Sequence, residues 1–98
     1  MRRDEVLRLL SEHRAELEQA GVLSLACFGS VARDEAGEDS DIDFLVEFTE
    51  PPGFLQFMNL KFFLEDLLGC RVDLVTHKAL KPRLRPVVER EVVNVPGF

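Results

Sequence analysis

Three short apolar runs, each bounded by residues that favour turns, divide the chain into alternating strand-like and helix-like segments. The first, Val22–Phe28, stops at Gly29, and the second, Ile42–Phe48, precedes a Pro-Pro-Gly turn at 51–53. The third spans 71–76 and ends before a polar pair. Apolar runs of this length between turn signals are typical of buried strands, so we predict three strands.

Helical periodicity occupies the segments around and between these strands, and we predict helices over 4–20, 30–36, Phe54–Leu68 and 84–93. The predicted order is therefore α-β-α-β-α-β-α, an α/β (α+β) fold in which a small three-stranded mixed sheet packs on helices. A helix long enough for a crossover joins the second and third strands, so these two strands should be parallel. The length of 98 residues fits one compact domain, residues 1–98.

The helix predicted over Phe54–Leu68 has two apolar arcs at helical spacing. One arc should face the sheet, and it consists of Phe57, Leu60, Leu64, Leu67 and Leu68. Polar residues separate it from a second arc, formed by Leu55, Met58 and Phe62. A second apolar face is either enclosed within the fold or covered by a partner, which includes a second copy of the chain.

Three side chains with reactive groups lie in apolar surroundings and need no catalytic explanation. His13 falls in the middle of the apolar arc of the first helix, so we expect it to pack at the edge of the core. Cys27 and Cys70 adjoin apolar strands and belong to no CxxC pair, so we expect two reduced thiols rather than a disulfide or a zinc site.

Charge and hydropathy argue against membrane and nucleic-acid partners. No apolar run approaches the ~20 residues that span a bilayer, and the initial Met-Arg-Arg-Asp-Glu lacks the apolar stretch of a secretory signal, so we expect a cytoplasmic protein. Lysine and arginine total 12 against 18 acidic residues, and the net charge of −6 opposes direct binding to nucleic-acid phosphates. Eight acidic residues and no basic residue fall within 34–50, a block that suits a divalent-cation site.

Three aspartates stand where parallel strands would bring them together. Asp41 and Asp43 are two residues apart at the start of the second strand, and side chains at this spacing point to the same face. Asp73 lies near the start of the third strand. Three carboxylates at close range repel one another unless cations neutralise them, and two Mg²⁺ ions are the usual solution in nucleotidyl transfer. We therefore interpret Asp41, Asp43 and Asp73 as a catalytic and metal-binding set.

A phosphate-binding segment is predicted directly after the first strand. Gly29 and Ser30 open the helix predicted over 30–36, where free backbone N–H groups and the helix dipole favour a phosphate. Glycine allows a nucleotide to approach the backbone closely, and the Ser30 hydroxyl can donate to a phosphate oxygen. Arg33, one turn later, is placed to contact a triphosphate. The predicted nucleotide-binding residues are Gly29, Ser30 and Arg33.

The sequence Gly29-Ser-Val-Ala-Arg33, followed by Ser40-Asp-Ile-Asp43-Phe-Leu-Val-Glu, resembles the signature of the minimal nucleotidyltransferases (MNT domains) of the DNA polymerase beta superfamily. The resemblance covers nearly the whole chain and implies the nucleotidyltransferase fold. It implies a Mg²⁺-dependent transfer of a nucleoside monophosphate from an NTP, usually ATP, with release of pyrophosphate. By the same resemblance, Asp41 and Asp43 would hold metals, and Asp73 would complete the site and help to activate the acceptor hydroxyl.

The resemblance also implies a partner and shows one departure. Proteins like this commonly pair, as antitoxins, with a HEPN-domain toxin ribonuclease, and in some cases they adenylylate the toxin. The family often has glycine directly after the arginine, whereas this sequence has Asp34. Aspartate tolerates turn-like backbone angles there, but it adds a negative charge near the predicted phosphate site.

Three functions therefore remain open at the level of sequence. The first is an enzyme that transfers AMP to a protein acceptor held by a partner chain. The second is an antitoxin that blocks a toxin by contact alone, through the second apolar arc and the basic segment 78–90. The third is a small-molecule nucleotidyltransferase, although such enzymes resemble this core with a further acceptor-binding domain.

Overall fold

The computed structural model describes residues 2–35 and 41–98. Its first elements are helix α1 (Arg3–Glu12), helix α2 (Arg14–Gln19), strand β1 (Val22–Phe28) and strand β2 (Ile42–Phe48). These are followed by helix α3 (Phe54–Leu68), strand β3 (Val72–Thr76), a single 3₁₀ turn (His77–Ala79), helix α4 (Arg85–Glu91) and strand β4 (Val93–Asn94). The bounds predicted for β1, β2 and α3 are confirmed, and β3 begins one residue later than predicted.

The sheet is mixed and has four strands in the order β3-β2-β1-β4. β2 and β3 are parallel, as predicted, and β1 is antiparallel to both β2 and β4. The prediction of three strands is wrong because Val93 and Asn94 pair with the end of β1. The helix predicted over 84–93 accordingly ends early, since Val92 already has extended backbone angles.

The helix predicted over 4–20 is divided at His13. The backbone N–H of His13 donates to the Leu10 carbonyl at 3.1 Å, whereas the His13 Nδ1 atom lies 2.8 Å from the Leu9 carbonyl. The side chain therefore occupies the acceptor that an uninterrupted helix would give to the backbone, which is a recognised cause of a helix break. The His13 ring also meets Phe63 edge-on with a centroid separation of 6.2 Å, so the prediction of a packed histidine is confirmed.

The main core lies between one face of the sheet and helices α1 to α3. Fully or almost fully buried side chains from all these elements form it, including Val6, Leu10, Leu17, Leu25, Phe44, Val46, Leu60, Leu64 and Val72. Alternate residues of the strands point to the other face, where Leu45 packs with Leu80 and Val88 of the C-terminal segment. The sheet is thus covered by three helices on one side and by α4 on the other.

The two apolar arcs of α3 have different environments. Leu60, Leu64 and Leu68 are buried against the sheet, which confirms the first arc. In the second arc Leu55 is 73% exposed and Phe62 is 52% exposed, so the described part of the chain does not enclose that face. Within the described residues no helix is both long enough and apolar enough to cross a bilayer. Cys27 and Cys70 are free thiols, as expected.

Candidate active site

Asp43 and Asp73 occupy directly opposed positions of the parallel strands β2 and β3. Val72 and Leu74, the chain neighbours of Asp73, are buried in the main core. Asp73 therefore lies on the opposite face of the sheet, the face on which α4 packs against Leu45. Asp43 shares that face, because Phe44 beside it points into the main core. The predicted meeting of these two aspartates at one sheet edge is confirmed by the register.

The Asp43 carboxylate lies against the backbone of Gly29. Phe28, the last residue of β1, is the cross-strand partner of Asp43, and a β-carbon added at Gly29 would collide with the Asp43 carboxylate. Gly29 also has a φ of 71°, in the left-handed region that favours glycine. The turn therefore favours glycine at this position, and any larger residue would also force the Asp43 carboxylate to shift.

Burial and neighbouring charges both act on the Asp43 carboxyl. Partial burial raises the pKa of the Asp43 carboxyl, and the nearby Asp73 and Asp41 carboxylates raise it further. The positive charge of Arg33 acts in the opposite direction. Asp41, Asp73 and Arg33 are thus all close enough to Asp43 to interact with it electrostatically.

Asp41 stands apart from the other two acids in one respect. Its carboxylate forms a 3.2 Å ion pair with the guanidinium Nε of Arg71, the residue that precedes β3. Within residues 2–35 and 41–98, no group of three His, Cys, Asp or Glu side chains is arranged closely enough to hold a metal ion. The structure therefore brings Asp43 and Asp73 together and places Asp41 beside them with its carboxylate turned to Arg71.

The donor chemistry of these residues nevertheless fits Mg²⁺. Carboxylate oxygens are the ligands that this hard cation prefers, and the opposed pair Asp43 and Asp73 carries a repulsion that a cation would relieve. The ion pair that occupies Asp41 is exposed, with side-chain exposures of 81% for Arg71 and 50% for Asp41. Exposed pairs of this kind are worth only about 0–1 kcal/mol, so Asp41 can exchange Arg71 for a cation at small cost.

The segment after β1 is a single hydrogen-bonded turn. Its backbone bonds run from Arg33 N to Gly29 O (3.2 Å), from Asp34 N to Val31 O (3.0 Å) and from Glu35 N to Ser30 O (2.8 Å). The last two bonds form the pattern of a Schellman motif, with Asp34 at its left-handed position at a φ of 60°. Residues 30–35 therefore form no helix, and the helix predicted over 30–36 is wrong there because the backbone leaves the helical conformation at Asp34. The last predicted residue, Ala36, lies outside the described residues.

Asp34 occupies a position that normally favours glycine, and its carboxylate makes a compensating contact. Its Oδ1 atom accepts a 3.1 Å hydrogen bond from the backbone N–H of Arg3, at the start of α1. This bond, together with the nearby positive charge of Arg2, lowers the pKa of the Asp34 carboxyl. Asp34, the residue that differs from the glycine often found in the family, thus holds the start of α1 through its carboxylate.

Arg33, the predicted phosphate-contacting residue, is held by two glutamates. Its Nε atom lies 3.1 Å from Glu35 and its Nη1 atom lies 3.1 Å from Glu91, the last residue of α4. Both carboxylates raise the pKa of the Arg33 guanidinium, Glu35 through the stronger hydrogen bond. Sequence reasoning missed Glu91, which is 58 residues away and belongs to no local motif. It also missed the pairing of Arg71 with Asp41. The parallel register could have identified this pair, because Ile42 is opposite Val72 and the residues before them are therefore close together.

Two grooves elsewhere on the surface do not include the aspartates. One, of about 290 Å³, lies at the opposite ends of β2 and β3 and is lined by residues that include Phe48, Pro52 and His77. The other lies between α2 and α3 and includes Gln19 and Phe63 in its lining. Neither groove brings together groups suited to nucleotidyl transfer, so the candidate site is the acidic edge near the turn at 29–35.

Known nucleotidyltransferases are similar to this chain over nearly its whole length. A family model described as a nucleotidyltransferase domain matches residues 8–95. The protein adenylyltransferase MntA of Thermococcus cleftensis is 48% identical over 93 residues, which cover 94% of each chain.

Two solved structures have a similar fold. One, described as a candidate minimal nucleotidyltransferase, is 46% identical, has a TM-score of 0.81 and matches over 95% of each chain. The other contains a tri-AMPylated HEPN toxin of Shewanella oneidensis in complex with an MNT antitoxin. It has a TM-score of 0.66 and 20% identity, and covers 94% of this chain and 73% of that chain, a level of identity that shows a shared fold alone.

Proposed function

The chain belongs to the nucleotidyltransferase domain family, and from this premise we propose that it transfers AMP from ATP to a hydroxyl group of a partner protein. The observation that carries the proposal is the direct pairing of Asp43 with Asp73 beside the turn that begins at Gly29. This arrangement sets an acidic pair, suited to divalent cations, next to a segment suited to phosphate.

The turn at 29–35 supplies the phosphate-binding groups in this proposal. Its later N–H groups, from Arg33 onward, donate within the turn. The N–H groups of Ser30, Val31 and Ala32 donate to no carbonyl among the described residues, as at the first turn of a helix, where backbone donors favour an anion. The Ser30 hydroxyl and the Arg33 guanidinium would add a donor and a positive charge to the same phosphates.

The three aspartates would bind the metal, and one of them would also accept a proton. Asp41, Asp43 and Asp73 would hold Mg²⁺, which when bound offsets the charge of the triphosphate and of the leaving pyrophosphate. Asp43 is half-buried and Asp41 is paired with Arg71, whereas Asp73 is exposed, so Asp73 is the carboxylate that an incoming acceptor can reach. We therefore assign to Asp73 the acceptance of the proton that the acceptor hydroxyl loses as it attacks the α-phosphate.

The acceptor is proposed to belong to a HEPN-type toxin, for which this chain would act as the antitoxin. Two comparisons support this: the Thermococcus relative is named as a protein adenylyltransferase, and a fold neighbour is an MNT antitoxin in complex with an AMPylated HEPN toxin. A protein acceptor also suits the exposed position of Asp73 on an open sheet edge.

The test is incubation of the chain with ATP labelled in the α-phosphate, Mg²⁺ and the protein encoded next to it. We expect label and a mass increase of one or more AMP groups on the partner, and no label when EDTA removes the metal. Asp73→Asn should lower the rate by about 10²-fold or more, the range typical of a lost general base. Asp66→Asn, on the exposed side of α3, should retain the wild-type rate. Absence of label with every NTP would contradict the proposal.

A second candidate function, neutralisation of the toxin by contact alone, is favoured by the exposed face of α3. Phe54 is 76% exposed and Leu55 is 73% exposed, which is unusual for adjacent large apolar side chains at the start of a helix. If contact suffices, the double substitution Leu55→Asp and Phe62→Asp should abolish both complex formation and toxin neutralisation, whereas Asp73→Asn should preserve both. The matched control is Asn59→Asp, which adds a charge to α3 without removing apolar surface. If the doubly substituted chain still forms the complex with the toxin, the exposed face of α3 is not the binding surface.

A further inference from the structure

Glu91 is the feature of the candidate site that nucleotidyl transfer does not require. It is the last residue of α4, and it reaches across to Arg33 with a 3.1 Å contact between Oε2 and Nη1. We propose that Glu91, together with Glu35, competes with the nucleotide triphosphate for Arg33, so that α4 sets the affinity of the site for nucleotide. The inference rests on the proposed function, in which Arg33 contacts the phosphates.

The geometry of the guanidinium makes the competition direct. Glu35 occupies Nε and Glu91 occupies Nη1, which leaves only Nη2 without one of these carboxylates. A bidentate grip on a phosphate uses two adjacent nitrogens, either Nε with Nη2 or Nη1 with Nη2. Each of these pairs includes a nitrogen that already donates to a glutamate. A bidentate phosphate on Nε and Nη2 must therefore displace Glu35, because Nε has a single N–H group. A phosphate on Nη1 and Nη2 must share Nη1, which has two N–H groups, with the negatively charged Glu91 carboxylate.

The charge balance acts in the same direction. Two carboxylates around one guanidinium leave a net negative group at the place where a triphosphate would bind. The acidic pair Asp43 and Asp73 lies close by and adds to this negative potential. Removal of one glutamate charge would therefore free a donor and also lower the repulsion of the incoming phosphates.

The stability of α4 does not account for Glu91. An acidic side chain in the last turn of a helix faces the negative end of the helix dipole, where a basic residue would be favoured. The ion pair with Arg33 offsets this unfavourable position, so the contact links the end of α4 to the turn at 29–35.

The contact is also weak enough to be exchanged during nucleotide binding. The side chains of Arg33 and Glu91 are 46% and 32% exposed, so water and salt screen their attraction. A triphosphate offers several negative oxygens to the same guanidinium and can displace a single screened carboxylate.

The test is the affinity of the purified chain for the non-hydrolysable analogue AMP-PNP with Mg²⁺, measured by titration calorimetry at low salt. Glu91→Gln keeps the shape of the side chain and removes its charge, and we expect it to tighten binding about two- to fivefold. Glu35→Gln should act in the same direction through an independent element. Glu89→Gln, an exposed acid on the same helix with no contact to Arg33 among the described residues, should leave the affinity unchanged.

The double substitution Arg33→Gln with Glu91→Gln separates competition from a general effect of charge. If Glu91 acts through Arg33, the gain from Glu91→Gln should disappear when Arg33 is absent. The gain should also shrink at 0.5 M salt, where the Debye length is below ~5 Å. A thermal melt of each variant checks that α4 is still folded, and Glu35→Gln provides the same test if Glu91→Gln unfolds it.

The outcomes distinguish this inference from the function on which it rests. Failure of the wild-type chain to bind any nucleotide would overturn both. Wild-type binding that Glu91→Gln and Glu35→Gln leave unchanged would overturn the competition alone. Weaker binding in either variant would also overturn it, because the glutamates would then hold Arg33 in its productive position.

Discussion

The two faces of the central strands differ more than any other regions of this molecule. On the face toward α1, α2 and α3, Ile42, Phe44 and Val46 are at most 2% exposed and belong to one continuous apolar core. On the other face the same strand carries Asp43, next to Asp73 of β3. Alternation along β2 thus places a candidate catalytic acid, Asp43, directly between two buried residues of the main core, Ile42 and Phe44.

This difference has a consequence for substitutions. Residues of the core face are held by close packing, and their truncation should unfold the chain. The acids of the site face repel one another in the absence of a cation, so their removal should cost little stability and much function. Stability and activity should therefore respond to different residues of the same strand.

Phe44→Ala should have the largest effect on stability. Phe44 is fully buried at the centre of the main core, and truncation of a buried phenylalanine typically costs about 3–5 kcal/mol through lost burial and the cavity that remains. The measurement is the free energy of unfolding in urea. A loss below about 1 kcal/mol would show that the core face does not dominate stability, and Asp73→Asn serves as the site-face comparison.

Gly29→Ala should have an intermediate effect, and Gly69→Ala is its matched control. Both glycines have φ near 70°, so both substitutions incur the cost of a left-handed alanine, about 1 kcal/mol. Only at Gly29 does the new β-carbon also collide with the Asp43 carboxylate, whereas nothing lies within 4 Å at Gly69. Gly29→Ala should therefore lower the melting temperature more than Gly69→Ala does, and it alone should weaken nucleotide binding. Equal effects of the two substitutions would contradict the close approach of Asp43.

Asp34→Asn should have the smallest effect, and the effect should depend on pH. The folded-state pKa of Asp34 is lowered, so its charge contributes stability above the unfolded pKa, and the contribution is lost as the pH falls through the folded pKa. The melting temperature of the variant should therefore be slightly below that of the wild type at pH 7. The gap should close as the pH falls through the lowered folded-state pKa of Asp34, since the carboxyl is then protonated in the wild type. A gap that stays constant with pH would rule out a contribution of the charge.

Much of the fold was predictable because its boundaries are set by local chemistry. β1, β2 and α3 have the predicted bounds, since glycines flank β1 and α3 and the Pro-Pro-Gly turn at 51–53 follows β2. β4 was not predictable, because a two-residue strand is defined only by its pairing with β1. The prediction of a helix over 30–36 failed for a different reason. Asp34 takes a left-handed conformation that is stabilised by a contact with Arg3, 31 residues away.

The candidate site divides in the same way. Asp43 and Asp73 could be paired from the sequence, because parallel strands fix which residues stand opposite each other. The ion pairs that modify the site could not be predicted, since Glu91 meets Arg33 only after α4 has folded back across the sheet. Sequence patterns report what a residue does within its own element, and these contacts join separate elements.

The most direct measurement compares the activity and the stability of Asp43→Asn in one preparation, with the proposed HEPN-type partner, ATP and Mg²⁺. Loss of the Asp43 charge should remove AMP transfer, because the acidic pair at the sheet edge is broken. The same substitution should leave the melting temperature in EDTA unchanged or slightly raised, because it relieves the repulsion from Asp73 and Asp41. Transfer of AMP at the wild-type rate, or a large loss of stability without a specific loss of transfer, would contradict the assignment of chemistry to this face of the sheet.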